Sequence, residues 1–127
     1  MSNLDDHPYI RKITGFLRSK PSGRLDAKKV AALYGEDLKR FAKALDVSPS
    51  ALGRSPFARK YQAFLVPFVQ TARIIPMLEN RKQFAVWAKT PNKELGGITP
   101  LEILFSGPAS VRKLVETVED VLVGEPE

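Results

Sequence analysis

A chain of 127 residues with 43% hydrophobic side chains is long enough for one ordinary core and too apolar to be disordered. With no cysteine and a single histidine, His7, it lacks disulfides, thiolate nucleophiles and cysteine-rich zinc sites, and no apolar run reaches the roughly 18–20 residues of a membrane span. The net charge of +6 is carried by the front of the chain: residues 1–60 hold 13 Lys or Arg against 6 Asp or Glu, and residues 61–127 hold 7 against 8.

Such an asymmetry is expected of a leading segment that faces a polyanion and a trailing segment that faces protein. The carboxylate pairs Asp5-Asp6, Glu36-Asp37 and Glu119-Asp120 are sequence neighbours, so on a helix they diverge rather than converge on one reacting atom. They read as solvated surface, and no enzymatic activity, metal or cofactor is expected. The opening MSNLDDHPYIRK has acidic residues where a signal peptide would be basic, which predicts a soluble cytoplasmic protein.

In chain order, Ile10, Ile13, Phe16 and Leu17 recur at three- and four-residue intervals and predict a short helix from Tyr9 to Leu17, ended by Lys20-Pro21-Ser22-Gly23. Asp26 is placed to cap a helix through Tyr34, with Ala27, Val30, Ala31 and Tyr34 inward and Gly35 as its stop. A second helix, Asp37 to Leu45, should bury Leu38, Phe41, Ala42 and Leu45 and display Lys39, Arg40 and Lys43. Ser48-Pro49 then starts a third, short helix through about Arg54, serine capping it and proline occupying its first turn.

The stretch Leu38 to Arg54 has the layout of a helix-turn-helix: small Ala42 at the crossing point, a turn at Asp46-Val47, and Val47 and Leu52 inward. Asp46 stands where glycine is more usual, because the position favours positive φ. If duplex DNA is the ligand, the third helix would enter the major groove with Ser48, Ser50, Ala51 and Arg54 near its exposed face. Arg54 is the candidate for a base edge, and Lys39, Arg40, Lys43, Arg59 and Lys60 are candidates for phosphates.

Ser55-Pro56 is expected to open the longest helix, with Tyr61, Phe64, Leu65, Phe68, Val69, Ala72, Ile75 and Leu78 as one apolar core stripe, Pro67 off the stripe and Pro76 in its last turn. Asn80 caps the next helix, which carries Phe84 and Trp87. Thr90-Pro91-Asn92 breaks that helix, Gly96-Gly97 supplies two positions free to adopt positive φ, and Thr99-Pro100 with Glu102 opens another. Gly107-Pro108 starts a final amphipathic helix in which Val111, Leu114, Val115, Val118, Val121 and Leu122 face inward while Arg112, Lys113, Glu116, Glu119 and Asp120 face water. No strand alternation is present, so the expectation is an all-α, compact helical bundle. Its parts are a leader over 1–23, a helix-turn-helix-like region over 24–60 and a trailing helical region over 61–127.

The segment WAKTPNKELGGITPLEIL, Trp87 to Leu104, resembles the signature of the Xre/MbcA/ParS antitoxin family in its C-terminal toxin-binding domain: a Trp on a helix, a Pro-Asn pair, a Leu-Gly-Gly turn and a Thr-Pro-Leu helix start. Trp87, Pro91, Asn92, Leu95, Gly96, Gly97, Thr99, Pro100, Leu101 and Leu104 match in register, and Val115 to Gly124 is similar to the family's closing helix. The likeness extends more weakly upstream to about Arg24 and does not cover the first 23 residues. It implies the antitoxin of a type II toxin-antitoxin pair, whose toxin is a RES-type enzyme that consumes NAD. It also implies a toxin-binding surface including Trp87, Asn92, Lys93, Leu95, Gly96, Gly97, Pro100, Gly124, Glu125 and Glu127, and a front region that binds the operator of its own operon. The chain departs from the family pattern at Asp46, in its Pro-limited third helix and in its short tail, Glu125-Pro126-Glu127.

The implied partners are a cognate toxin and operator DNA, in a homodimer or a hetero-oligomer with the toxin. A toxin pocket built for dinucleotide phosphates would be electropositive, and the acidic tail could occupy it. The competing reading is a stand-alone helix-turn-helix transcriptional regulator whose C-terminal half mediates dimerisation.

Overall fold

The computed structural model describes residues 12, 15–19, 22–78 and 81–123. Among them every regular element is helical, and the extended contacts are two isolated antiparallel bridges, Arg18 with Leu25 and Asn92 with Ile98. The all-α expectation holds. The chain divides between Val69 and Gln70 into two compact units.

In the leading unit, three helices start where a side-chain oxygen takes up an orphan backbone N–H. Asp26 accepts from Lys28 and Lys29 to begin α1 (Ala27–Leu33), Asp37 accepts from Lys39 to begin α2 (Leu38–Ala44), and Ser48 accepts from Ala51 to begin α3 (Pro49–Arg54). Tyr34 follows α1, and Gly35 then turns the chain at φ 63°. Ala27, Val30, Ala31 and Tyr34 are buried as expected, whereas Leu38, Leu45 and Val47 are only half-buried. The predicted Tyr9–Leu17 helix lies mostly outside the described residues. Within its described part Leu17 is buried, but Phe16 is not inward: it is 49% exposed, with Lys29 Nζ 5.7 Å from its ring centroid.

The predicted long helix does not begin at Ser55-Pro56. Ser55 sits at φ −135°, ψ 62°, outside the extended region in which Ser48 and Thr99 cap their helices. The Pro56 carbonyl accepts from Ala27 N–H at 2.9 Å, holding the Ser55–Ala58 turn against the start of α1. Helical structure resumes in a 3-10 turn, Arg59–Tyr61, and continues as α4, Gln62–Thr71. Pro67 is accommodated inside α4, where its missing N–H removes the bond to Ala63. Beyond Thr71 the winding tightens to 3-10 over Ala72–Met77, which includes Pro76.

The core of the leading unit forms where α4 meets α1 and α2. Phe68 meets Tyr34 in a T-shaped pair with centroids 5.4 Å apart and lies tilted against Phe41 at 4.9 Å and Phe64 at 5.1 Å. Gln62 adds a polar clamp: its side-chain amide accepts from Leu25 N–H at 2.8 Å and donates to Leu25 O at 3.0 Å.

The trailing unit is built from the 3-10 segment, α5 (Arg81–Ala88), α6 (Pro100–Ser106) and α7 (Pro108–Val123). At 16 residues α7, and not the aromatic helix, is the longest among the described residues. Ile74, Ile75, Phe84, Ala88, Leu101, Ile103, Leu104, Leu114 and Val118 are buried. Arg73 on the 3-10 segment pairs with Glu119 on α7 at 2.9 Å, with only 14% of the arginine side chain exposed. Val111 and Val115 on α7 are half-buried and Arg112, Lys113, Glu116 and Asp120 exposed, whereas Asn80 lies outside the described residues.

Candidate functional site

The basic surface of the leading unit is assembled on α2 and α3. Ala42 and Leu52 are fully buried, so the two helices approach closely across the turn, and Val47 N–H reaches back to Ala42 O at 3.0 Å. Asp46 takes φ 57°, the left-handed conformation that its place in the turn demanded. Lys39, Arg40 and Lys43 on α2 and Ser50 and Arg54 on α3 are exposed, as are Arg59 and Lys60 in the following turn. Ala51 is half-buried.

Two of these positions are less available than their type suggests. Arg40 forms an i,i+4 ion pair with Glu36 at 3.2 Å, so part of its charge is already neutralised. Ser48 is exposed, but its hydroxyl oxygen is engaged by Ala51 N–H at 3.1 Å. Lys60 Nζ lies 5.5 Å from the Tyr61 ring centroid. Because α3 has only 6 residues, it offers Ser50 and Arg54 as the polar side chains with free reach. Arg54 is the one charged side chain on α3; the other exposed cations lie on α2 and in the turn after α3.

In the trailing unit the signature segment is a loop closed on itself. Thr90 Oγ1 donates to Val86 O at 2.6 Å and finishes α5. Asn92 is the loop's fastening point: its N–H donates to Ile98 O at 3.1 Å, its carbonyl accepts from Leu95 at 3.0 Å and from Gly97 at 2.9 Å, and its side-chain oxygen accepts from Glu94 N–H at 2.9 Å. Gly96 and Gly97 both take left-handed backbone, φ 76° and 82°, with open space where a Cβ would stand, so glycine is needed here for conformation rather than clearance. Thr99 then caps α6, accepting from Glu102 N–H at 3.0 Å and donating to the Glu102 carboxylate at 3.0 Å.

The residues implied by the resemblance fall into four groups. Lys93, Gly96 and Gly97 are exposed on the loop. Trp87 is half-buried, stacked on Phe84 at 5.9 Å, and Asn92 is half-buried with its oxygen committed to the turn. Leu95 and Pro100 are buried and therefore hold the loop's shape rather than its surface. Gly124, Glu125 and Glu127 lie outside the described residues. Sequence reasoning missed the exposed apolar side chains beside this loop, Val86 at 59% and Ile98 at 44%. Val86 was detectable in principle, since it is two residues from buried Phe84 and falls on the opposite side of a helix.

Among the described residues no cluster of His, Asp and Glu could hold a metal ion, and no helix is long and apolar enough to cross a membrane. The leading unit displays exposed cations, and the trailing unit a hydrogen-bonded loop with Val86 and Ile98 exposed. The chain matches no protein-family profile, no curated protein and no solved structure.

Proposed function

We propose that this chain is the antitoxin of a type II toxin-antitoxin pair, which neutralises a RES-type, NAD-consuming toxin by direct binding through its trailing unit and represses its own operon by binding DNA through its leading unit. The observation that carries the reading is the Trp87–Leu104 segment, whose family-like residues are the ones fastening the loop: Asn92 as its bracket, Gly96-Gly97 at left-handed φ and Thr99-Pro100 at the next helix start. A loop already ordered before contact loses little conformational entropy on binding, which favours a tight protein partner. The acidic tail is proposed to enter the toxin's dinucleotide pocket. A cytoplasmic location and a dimer or toxin-bound hetero-oligomer belong to the same proposal.

A second reading, a stand-alone transcriptional regulator that dimerises through its trailing half, is favoured by the exposed cations of α2 and α3. Co-expression separates the two. As an antitoxin, the chain should restore growth to cells expressing its cognate RES-type toxin and should copurify with it. A chain that binds the operator yet neither rescues growth nor copurifies is a regulator alone.

A further inference from the structure

The charges of α7 stand in an order that does not stabilise the helix itself. Arg112 and Lys113 come first, and Glu116, Glu119 and Asp120 follow. A helix dipole favours acids near the N-terminus and cations near the C-terminus, yet the first turn of α7 holds no acid and its last turn no base. Arg112 and Glu116 stand at i,i+4 in the weaker order, and Glu116 and Asp120 repel at the same spacing. Glu119 is taken up by Arg73. Among the described residues none of Arg112, Lys113, Glu116 and Asp120 has an ion-pair partner.

These four charges share one side of the helix. Leu114 and Val118 are buried and define the inner side. At ~100° per residue, Arg112, Lys113, Glu116 and Asp120 fall within an arc of about 100° opposite that pair, and all four are exposed. The elements packed most extensively on α7 are α6 and the 3-10 segment. Each brings one charged residue: Glu102, hydrogen-bonded to Thr99, and Arg73, paired with Glu119. The outer face thus holds two cations followed by two acids, with Val111 and Val115 half-buried beside it.

We propose that the outer face of α7 pairs antiparallel with the same face of a second copy of this chain, across a two-fold axis, so that Arg112 and Lys113 of each copy meet Glu116 and Asp120 of the other. A helix face with cations at one end and acids at the other is complementary to itself when two copies run antiparallel and repels itself when they run parallel. A partner of one sign would match half of this face and oppose the rest. The wider charge distribution agrees. A chain of net charge +6 repels its own kind at long range, but residues 61–127 hold 7 cations against 8 acids, so two copies can approach through the trailing unit. The inference rests on the reading that the chain forms a dimer, names the surface, and needs no toxin.

The test is sedimentation velocity of the full chain over a range of concentrations, at low and high salt. The unmodified chain is expected to self-associate, and less so at high salt. Arg112→Glu/Lys113→Glu makes the face wholly acidic and Glu116→Lys/Asp120→Lys makes it wholly basic. Each is expected to weaken self-association at least about tenfold, and an equimolar mixture of the two to associate again. The chain carrying all four changes keeps a self-complementary face and is expected to self-associate like the unmodified one, which separates lost pairing from lost folding. Double variants that self-associate undiminished, or that weaken and stay monomeric when mixed, overturn the proposal. So do double variants whose self-association is unchanged while their binding to the cognate toxin weakens, since the face would then belong to the toxin. A monomeric unmodified chain removes the dimer and this pairing together, whereas the antitoxin reading is decided separately by growth rescue.

Discussion

The Tyr34 hydroxyl donates to the backbone carbonyl of Phe68 at 2.6 Å, in a fully buried site, across 34 residues of chain. The same two residues meet ring edge to ring face. This bond ties the residue that ends α1 to the last turns of α4, just before the helix tightens into 3-10 geometry at Ala72. Tyr34→Phe keeps the ring contact and leaves the carbonyl without this donor. It is expected to lower stability by about 1–2 kcal/mol, read as a reduced urea midpoint with an unchanged slope.

Thr71 has the opposite character. Its hydroxyl is fully buried and has no hydrogen-bond partner among the described residues. Thr71→Val keeps the β-branched shape and removes the unpaired polar atom, so it is expected to raise stability by about 1 kcal/mol. A thermal melt should move up by a few degrees. A drop in melting temperature would mean that the hydroxyl is satisfied.

Asp46 holds left-handed backbone that an L-residue adopts at a cost and glycine does not. Asp46→Gly is expected to stabilise the leading unit by about 0.5 kcal/mol after the extra unfolded-state freedom of glycine is counted, and a β-branched residue there should destabilise it by more than about 1 kcal/mol. Chemical denaturation of the two variants side by side gives the sign of each.

These positions also mark what could be read from residues alone. The starts at Asp26, Asp37, Ser48 and Thr99 were legible because capping is local chemistry: a short polar side chain, free N–H groups two or three residues on, and an apolar period behind them. The left-handed turn at Asp46 and the double glycine were legible for the same reason. Ser55-Pro56 carries an equally good local start signal and starts nothing, because the Pro56 carbonyl is held by Ala27 N–H, a partner far along the chain. Phe16 fitted an apolar period yet stands half exposed beside Lys29. In the candidate site, the loop's framework was visible in Asn92, Gly96, Gly97 and Thr99. The exposure of Val86 on α5 could have been read from its place opposite Phe84 on a helix, but Ile98, 44% exposed inside the loop, carries no periodic signal.

The cations of α2 and α3 are expected to give duplex binding that weakens steeply with salt. Lys39→Gln/Lys43→Gln should lower affinity on every duplex alike and make the salt slope shallower by up to about two, one per lost phosphate contact. Arg54→Gln is the change that should alter preference between operator and random sequence, by up to about tenfold. Fluorescence anisotropy over a salt series measures both. Affinity that ignores salt would leave the basic surface without this role.

The central claim is that the trailing unit grips a toxin and stops it, and the most direct measurement is the rate of NAD consumption by a purified RES-type toxin as the purified chain is titrated in. Neutralisation predicts a linear fall to the background rate, complete at a fixed molar ratio and unaffected by added DNA. A rate that stays constant through a large molar excess of the folded chain would contradict it.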